Sequence, residues 1–104
     1  MKLIVTTKGE ANNTQSSRAG IYTLGPDTVN GKSHWLQNPG VHAIWFSGTN
    51  WNIAPKDYLG STTAHISSTE DVAGPQEVKA WQYFDEKWIK SDDILVDTFV
   101  EPGT

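Results

Sequence analysis

The stretch "HAIWFSGTNWNIA", residues 42–54, decides how this chain is read. Residues Ala43 to Phe46 are apolar, Trp51 and Ile53 alternate with Asn52, and Gly48-Thr49-Asn50 lies between them. Two short aromatic and β-branched runs around a glycine-containing turn predict a β-hairpin. Side chains alternate along a strand, so Ala43 and Trp45 share one face while Ile44 and Phe46 share the other. Both faces are apolar, which implies a strand covered on both sides or one that shows an aromatic to solvent. On the return strand Trp51 and Ile53 share a face, opposite Asn50 and Asn52. In simple register Trp51 and Ile53 join one apolar set in a core, and the other set lies beside the asparagines. Aromatics flanked by amides suit polar, ring-shaped ligands, whereas burial is the commoner fate of such rings.

The same rhythm runs outward in both directions. Strands are predicted over 2–7, 19–24, 28–37, 42–47, 51–54, 61–67, 78–85, 87–91 and 93–100. Turn residues separate them, including a stop at Gly25-Pro26, a hairpin pair at Asn30-Gly31 and the tripeptide Asn38-Pro39-Gly40. Residues 9–18 are polar and read as a loop. The best helix candidate is 68–81, capped by Ser68, but Gly74-Pro75 leaves it a turn or two. The expected fold is therefore one all-β domain over 1–104, a small antiparallel β-sandwich or barrel of about eight to nine short strands. A second aromatic hairpin, Ala80 to Ile89, parallels the first. It reads as a weak pseudo-repeat, or as two hairpins stabilised by aromatic pairs. There Trp81 and Tyr83 share one face, and Ala80, Gln82 and Phe84 the other.

Composition excludes several function classes. The chain has 104 residues, a formal net charge of −4, eight Lys and Arg, five Trp and no Cys. Disulfides and cysteine-based zinc or nucleophile chemistry are ruled out. Without a basic stripe, no nucleic-acid partner is expected. The apolar run after Lys2 is too short for a signal peptide or a spanning helix, so no membrane insertion is expected. That leaves a cytoplasmic protein or one released by a non-classical route.

Chemistry-bearing patterns are sparse. His34 and His42 lie on adjacent predicted strands, but no ligand spacing accompanies them or His65, so they read as surface or strand-edge histidines and no metal is expected. The pairs Glu70-Asp71, Asp85-Glu86 and Asp92-Asp93 sit at turns. Glycoside hydrolysis needs two carboxyls facing across a cleft, and neighbours on a strand point apart. These acids are expected to solvate hairpin ends and discourage edge pairing. With no nucleophile elbow or phosphate-cradling loop, neither an enzyme nor a cofactor is expected.

The segments "GIYTLGPDTVNGKSHW", "AIWF…WNI", "LGS" and "WQYFDEKWIKSDDI" together resemble a short Trp-rich β module found singly or in tandem in large multidomain eukaryotic proteins. The shared pattern is G-x-Y, N-G-x-x-x-W, an aliphatic-Trp hairpin, Leu-Gly, a proline and W-x-Y…W, spanning residues 20 to 94. No enzymatic activity attaches to it. Its aromatic and glycine positions imply a scaffold and assign no site residue. A looser similarity, of composition alone, is to small Cys-free lectins and hemagglutinins.

The expected function is that of a non-enzymatic carbohydrate-binding module whose partner is a glycan or glycoprotein. Aromatic rings would stack on sugar C–H faces while amides and carboxylates take hydroxyls. The candidate residues are Trp45, Asn50, Trp51 and Asn52, then Trp81, Tyr83 and Trp88. The alternative is a protein-interaction or structural β module in which the same rings anchor a protein partner. A homodimer is also conceivable, since crosslinking needs two sites.

Overall fold

A computed structural model of the chain describes residues 2–70 and 72–99. Asp71 and Val100, placed above in an acidic pair and at the end of the last strand, lie outside the described residues. The strands are β1 (Lys2–Thr7), β2 (Gly20–Val29), β3 (Lys32–Gln37), β4 (His42–Phe46), β5 (Trp51–Pro55), β6 (Ile66–Ser68), β7 (Trp81–Phe84), β8 (Trp88–Ser91) and β9 (Ile94–Phe99). They form one antiparallel nine-stranded sheet in the order β8-β7-β6-β5-β4-β3-β2-β1-β9. The fold is all-β, a nearly closed barrel.

Its closure follows from strand direction. Each strand from β1 to β8 reverses the one before it, and β9 runs antiparallel to β1. β8 and β9 therefore point the same way, with only Asp92-Asp93 between them. The final segment is one bent strand that pairs with β7 in its first half and β1 in its second. The bend is tied down by Lys8 N–H donating to Asp93 O (3.0 Å) and Asp93 N–H donating to Ser91 Oγ (3.0 Å).

The barrel interior holds Leu3, Val5, Tyr22, Trp35, Ile44, Phe46, Trp51, Ile53, Ile66, Trp81, Tyr83, Ile94 and Val96. These are the alternate residues of their strands, as the pleat requires. Register pairs Phe46 with Trp51 and Ile44 with Ile53, which puts both sets in the core. The opposite faces carry Ala43, Trp45 and Ala54, a second buried cluster with Val29 and Leu36 against it. Segment 56–64 crosses over this cluster, where the Trp45 indole N–H donates to Ser61 O (2.9 Å). β4 is thus covered on both sides, and its residues are buried throughout.

Four expectations change, and one concerns the strand expected over 61–67: β6 covers only Ile66–Ser68, and the residues before it belong to the connection from β5. Residues 9–18 contain a short helix, α1 (Ala11–Gln15), followed by a 3-10 turn over Ser16–Arg18. Its sequence gives little helical preference, so tertiary contacts hold it: Ala11 is fully buried and the Gln15 amide donates to Phe84 O (3.0 Å). Among its described residues the stretch 68–81 forms no α-helix, only a 3-10 turn over Pro75–Glu77. Gly25-Pro26 does not end β2, because the strand passes through them with a register shift between Leu24 and Thr28. A bulge tolerates a proline that cannot donate to the ladder. Gly25 there lies over the His34 ring, where an added Cβ would sit 2.2 Å from Nε2.

Because the strands meander, the connections alternate between two ends of the barrel. One end gathers residues 8–19, 38–41, 56–65 and 85–87; the other gathers 30–31, 47–50 and 69–80.

Candidate functional site: an exposed aromatic pair

The five tryptophans divide sharply. Trp35, Trp45, Trp51 and Trp81 are between 0% and 5% exposed, whereas Trp88 is 43% exposed. Of the residues singled out from sequence, Trp45 lies beneath segment 56–64, while Trp51, Trp81 and Tyr83 fill the barrel interior. Trp51 also donates its indole N–H to Val72 O (2.8 Å). None of these four offers an open ring face. Asn52 pairs with Trp45 across β4–β5, the expected aromatic–amide neighbours, but both are buried and the Asn52 carbonyl accepts from Ser67 Oγ (3.0 Å). Asn50, half-buried, holds its own turn by donating from Nδ2 to Ser68 O (2.7 Å). The amides thus stabilise the fold's interior and turns.

Trp88 remains, and the structure supplies it with a neighbour. Phe84 is 46% exposed and pairs with Trp88 directly across the β7–β8 hairpin. The ring centroids are 5.6 Å apart with planes at 72°, an edge-to-face contact. The alternation that sends Trp81 and Tyr83 inward sends Gln82 and Phe84 outward. Gln82 stands opposite Lys90 in the next register position, so amide and ammonium flank the rings on the outer face. Asp85 and Glu86 occupy the turn, with Glu86 at a positive φ of 63°. Phe84 is not among the candidate residues, although the sequence places it on the face opposite Trp81 and Tyr83. The signal was its position opposite Trp88 across a three-residue turn.

The two aromatic hairpins therefore do not play equal parts. The β4–β5 turn sits at one barrel end with both strands covered, and the β7–β8 turn sits at the other with its outer face open.

A cleft of about 430 Å³ opens near the β4–β5 turn, with Leu24, Lys32, Ser33, Trp35, Gln76 and Glu77 among its walls. Trp35 and Trp51 border it but expose too little surface to form a stacking face. Lys32 Nζ lies 5.0 Å above the Phe46 ring and closes one side.

The histidines correct another expectation. His34 and His42 are 4% and 5% exposed, not surface residues. They do not meet, because alternation puts His42 inside with Ile44 and His34 outside with Leu36. Among the described residues no group of three His, Asp or Glu could hold a metal ion. Glu70 does not solvate a hairpin end; its Oε1 accepts from the main-chain N–H of Lys79 (2.7 Å) and Ala80 (2.9 Å) and anchors the 69–80 connection. Among the described residues no helix is long and apolar enough to cross a membrane.

No known protein family, curated protein or solved structure matches the chain.

Proposed function

We propose that this protein is a non-enzymatic carbohydrate-binding module that stacks a sugar ring on the Phe84–Trp88 pair. The supporting observation is that Trp88, alone among the five tryptophans, keeps a large part of its ring in solvent while its strand is held firm by β7. Two aromatic rings held in an L-shape by cross-strand pairing offer an apolar face already fixed in place, so little side-chain freedom is lost on binding. Gln82 and Lys90 on the same face, with the Asp85 and Glu86 carboxylates in the turn, supply donors and acceptors for hydroxyl groups.

The test is a glycan array probed with the purified protein, followed by fluorescence titration of any hit. Sugar-specific, saturable binding that Trp88→Ala abolishes and Trp51→Phe leaves intact supports the reading. Binding that survives in both Trp88→Ala and Phe84→Ala variants overturns it. If the pair instead anchors a protein, monosaccharide at millimolar concentration will fail to displace the partner.

A further inference from the structure

At the barrel end that carries α1, a cationic group is held without a counter-charge. The Arg18 guanidinium is half-buried beyond the 3-10 turn Ser16–Arg18. Its Nη1 donates to Thr14 O (3.4 Å) and its Nη2 to His65 Nδ1. Nε is sealed from solvent without a partner, and among the described residues no carboxylate reaches the group. The position is built, not incidental, because the Tyr22 hydroxyl donates to Arg18 O from inside the barrel (2.6 Å). The His65 ring is braced by the edge of Tyr58, with centroids 6.1 Å apart. His42, at the start of β4, is buried with Nδ1 unpartnered and lies close enough to Arg18 and His65 to feel the Arg18 charge. Lys56 adds a second positive charge at this end, its Nζ donating to Gln37 O (3.1 Å) and Gly40 O (3.0 Å).

Half-burying a guanidinium against a neutral ring forfeits hydration without the Coulombic return of a carboxylate partner. Burial lowers the Arg18 pKa, an effect that Tyr22 partly opposes. Burial, then the Arg18 charge, holds His65 below its ordinary range, and the same two causes lead in bringing His42 down to about 4. Both imidazoles are therefore neutral at pH 7. Because His65 Nδ1 accepts from Arg18, its proton sits on Nε2, which is a further donor. A guanidinium beside the His65 Nε2–H matches the donors that a planar or tetrahedral oxyanion takes.

We propose that Arg18, His65 and His42 form a binding site for a single oxyanionic group, the carboxylate or phosphate of a small-molecule ligand. One half-buried guanidinium and one committed lysine suit one such group and not a polyanion. The site is independent of the carbohydrate reading, since an anion without any sugar tests it.

The experiment follows the imidazole nitrogens of the whole protein by NMR at pH 7, with ionic strength held constant by sodium chloride. Sodium acetate and inorganic phosphate are titrated separately. A saturable shift of the His65 and His42 signals with either anion supports the site, and the one that saturates at lower concentration identifies the chemistry. Arg18→Gln should weaken that binding roughly tenfold, as expected for losing a charge-assisted hydrogen bond. Arg18→Lys keeps the charge but not the fork, and should fall between the two; it also serves if Arg18→Gln does not fold. Shifts no different from those in chloride with both anions overturn the inference, as does binding unchanged in a folded Arg18 variant.

Discussion

Replacing Trp45 and Trp88 separately by alanine gives a measurement whose two halves must differ. Trp45 is fully buried between the sheet and segment 56–64, and its indole N–H is bonded to Ser61 O at 2.9 Å. Truncating a buried aromatic side chain costs about 3–5 kcal/mol in transfer and cavity terms. A domain of this size has a total stability of roughly 5–15 kcal/mol, so Trp45→Ala should remove a large share of it. Trp88 is 43% exposed and its main specific contact is the edge-to-face pair with Phe84. Such a pair contributes about 0.5–1.5 kcal/mol, and no sealed cavity forms when the ring is removed. With about 4–8 °C lost per kcal/mol in a domain near this length, Trp88→Ala should lower Tm by roughly 5 °C. Trp45→Ala should lower it by at least about 12 °C on the same scale. Thermal melts followed by circular dichroism, with urea titration for the free energies, read both. Equal destabilisation by the two substitutions would refute the assignment of Trp88 to the surface and with it the proposed stacking site.

Iodide should quench one accessible class of tryptophan, and Trp88→Phe should abolish that quenching while leaving the buried emission unchanged. Lowering the pH should destabilise the protein: the unfolded chain protonates His42 near 6.5 while the folded chain resists until about 4, so stability falls progressively between those values. By pH 5 the His42 contribution amounts to about 2 kcal/mol, and urea midpoints at pH 7 and pH 5 should converge in His42→Gln; a wild-type midpoint independent of pH over this range would contradict the burial of His42. Gly25→Ala would press its methyl onto His34, with Nε2 only 2.2 Å from the new atom, and should cost about 1–3 kcal/mol by urea titration; a neutral result would mean that the bulge relaxes freely.

Much of this architecture was legible because period-two alternation is a local signal. β1 lies at the predicted 2–7, and the hairpins at Asn30-Gly31 and 47–50 lie where turn residues put them. Asn30 and Gly31 take φ values of 52° and 85°, the left-handed geometry that the Asn-Gly pair favours. The apolar faces alone leave open which set of β4 residues joins Trp51 and Ile53; the register chooses Ile44 and Phe46. What alternation cannot supply is the layer above a strand. Trp45 faces away from the barrel interior and would read as exposed, yet segment 56–64, whose last residues read as a strand in the sequence, covers it. Segment 9–18 likewise becomes helical only through contacts with Phe84 and the barrel end. Arg18 escaped notice for a related reason: its significance lies in the absence of a carboxylate around it, a property of the assembled end and not of its neighbours in sequence.

The bent final strand also governs the order in which the molecule can fold. Seven of the strand pairings join consecutive segments, so each can form as a hairpin or short-loop closure soon after its residues exist. The pairing of β1 with β9 is different: Ile4 meets Asp97 across almost the whole chain. Its loop-closure entropy is lowest in cost once the intervening meander has already curled the two ends together. Loop-closure entropy therefore favours sealing the barrel as the last event. Until residues 94–99 have been synthesised, the nascent meander exposes the unpaired side of β1 and the interior faces of Leu3 and Val5.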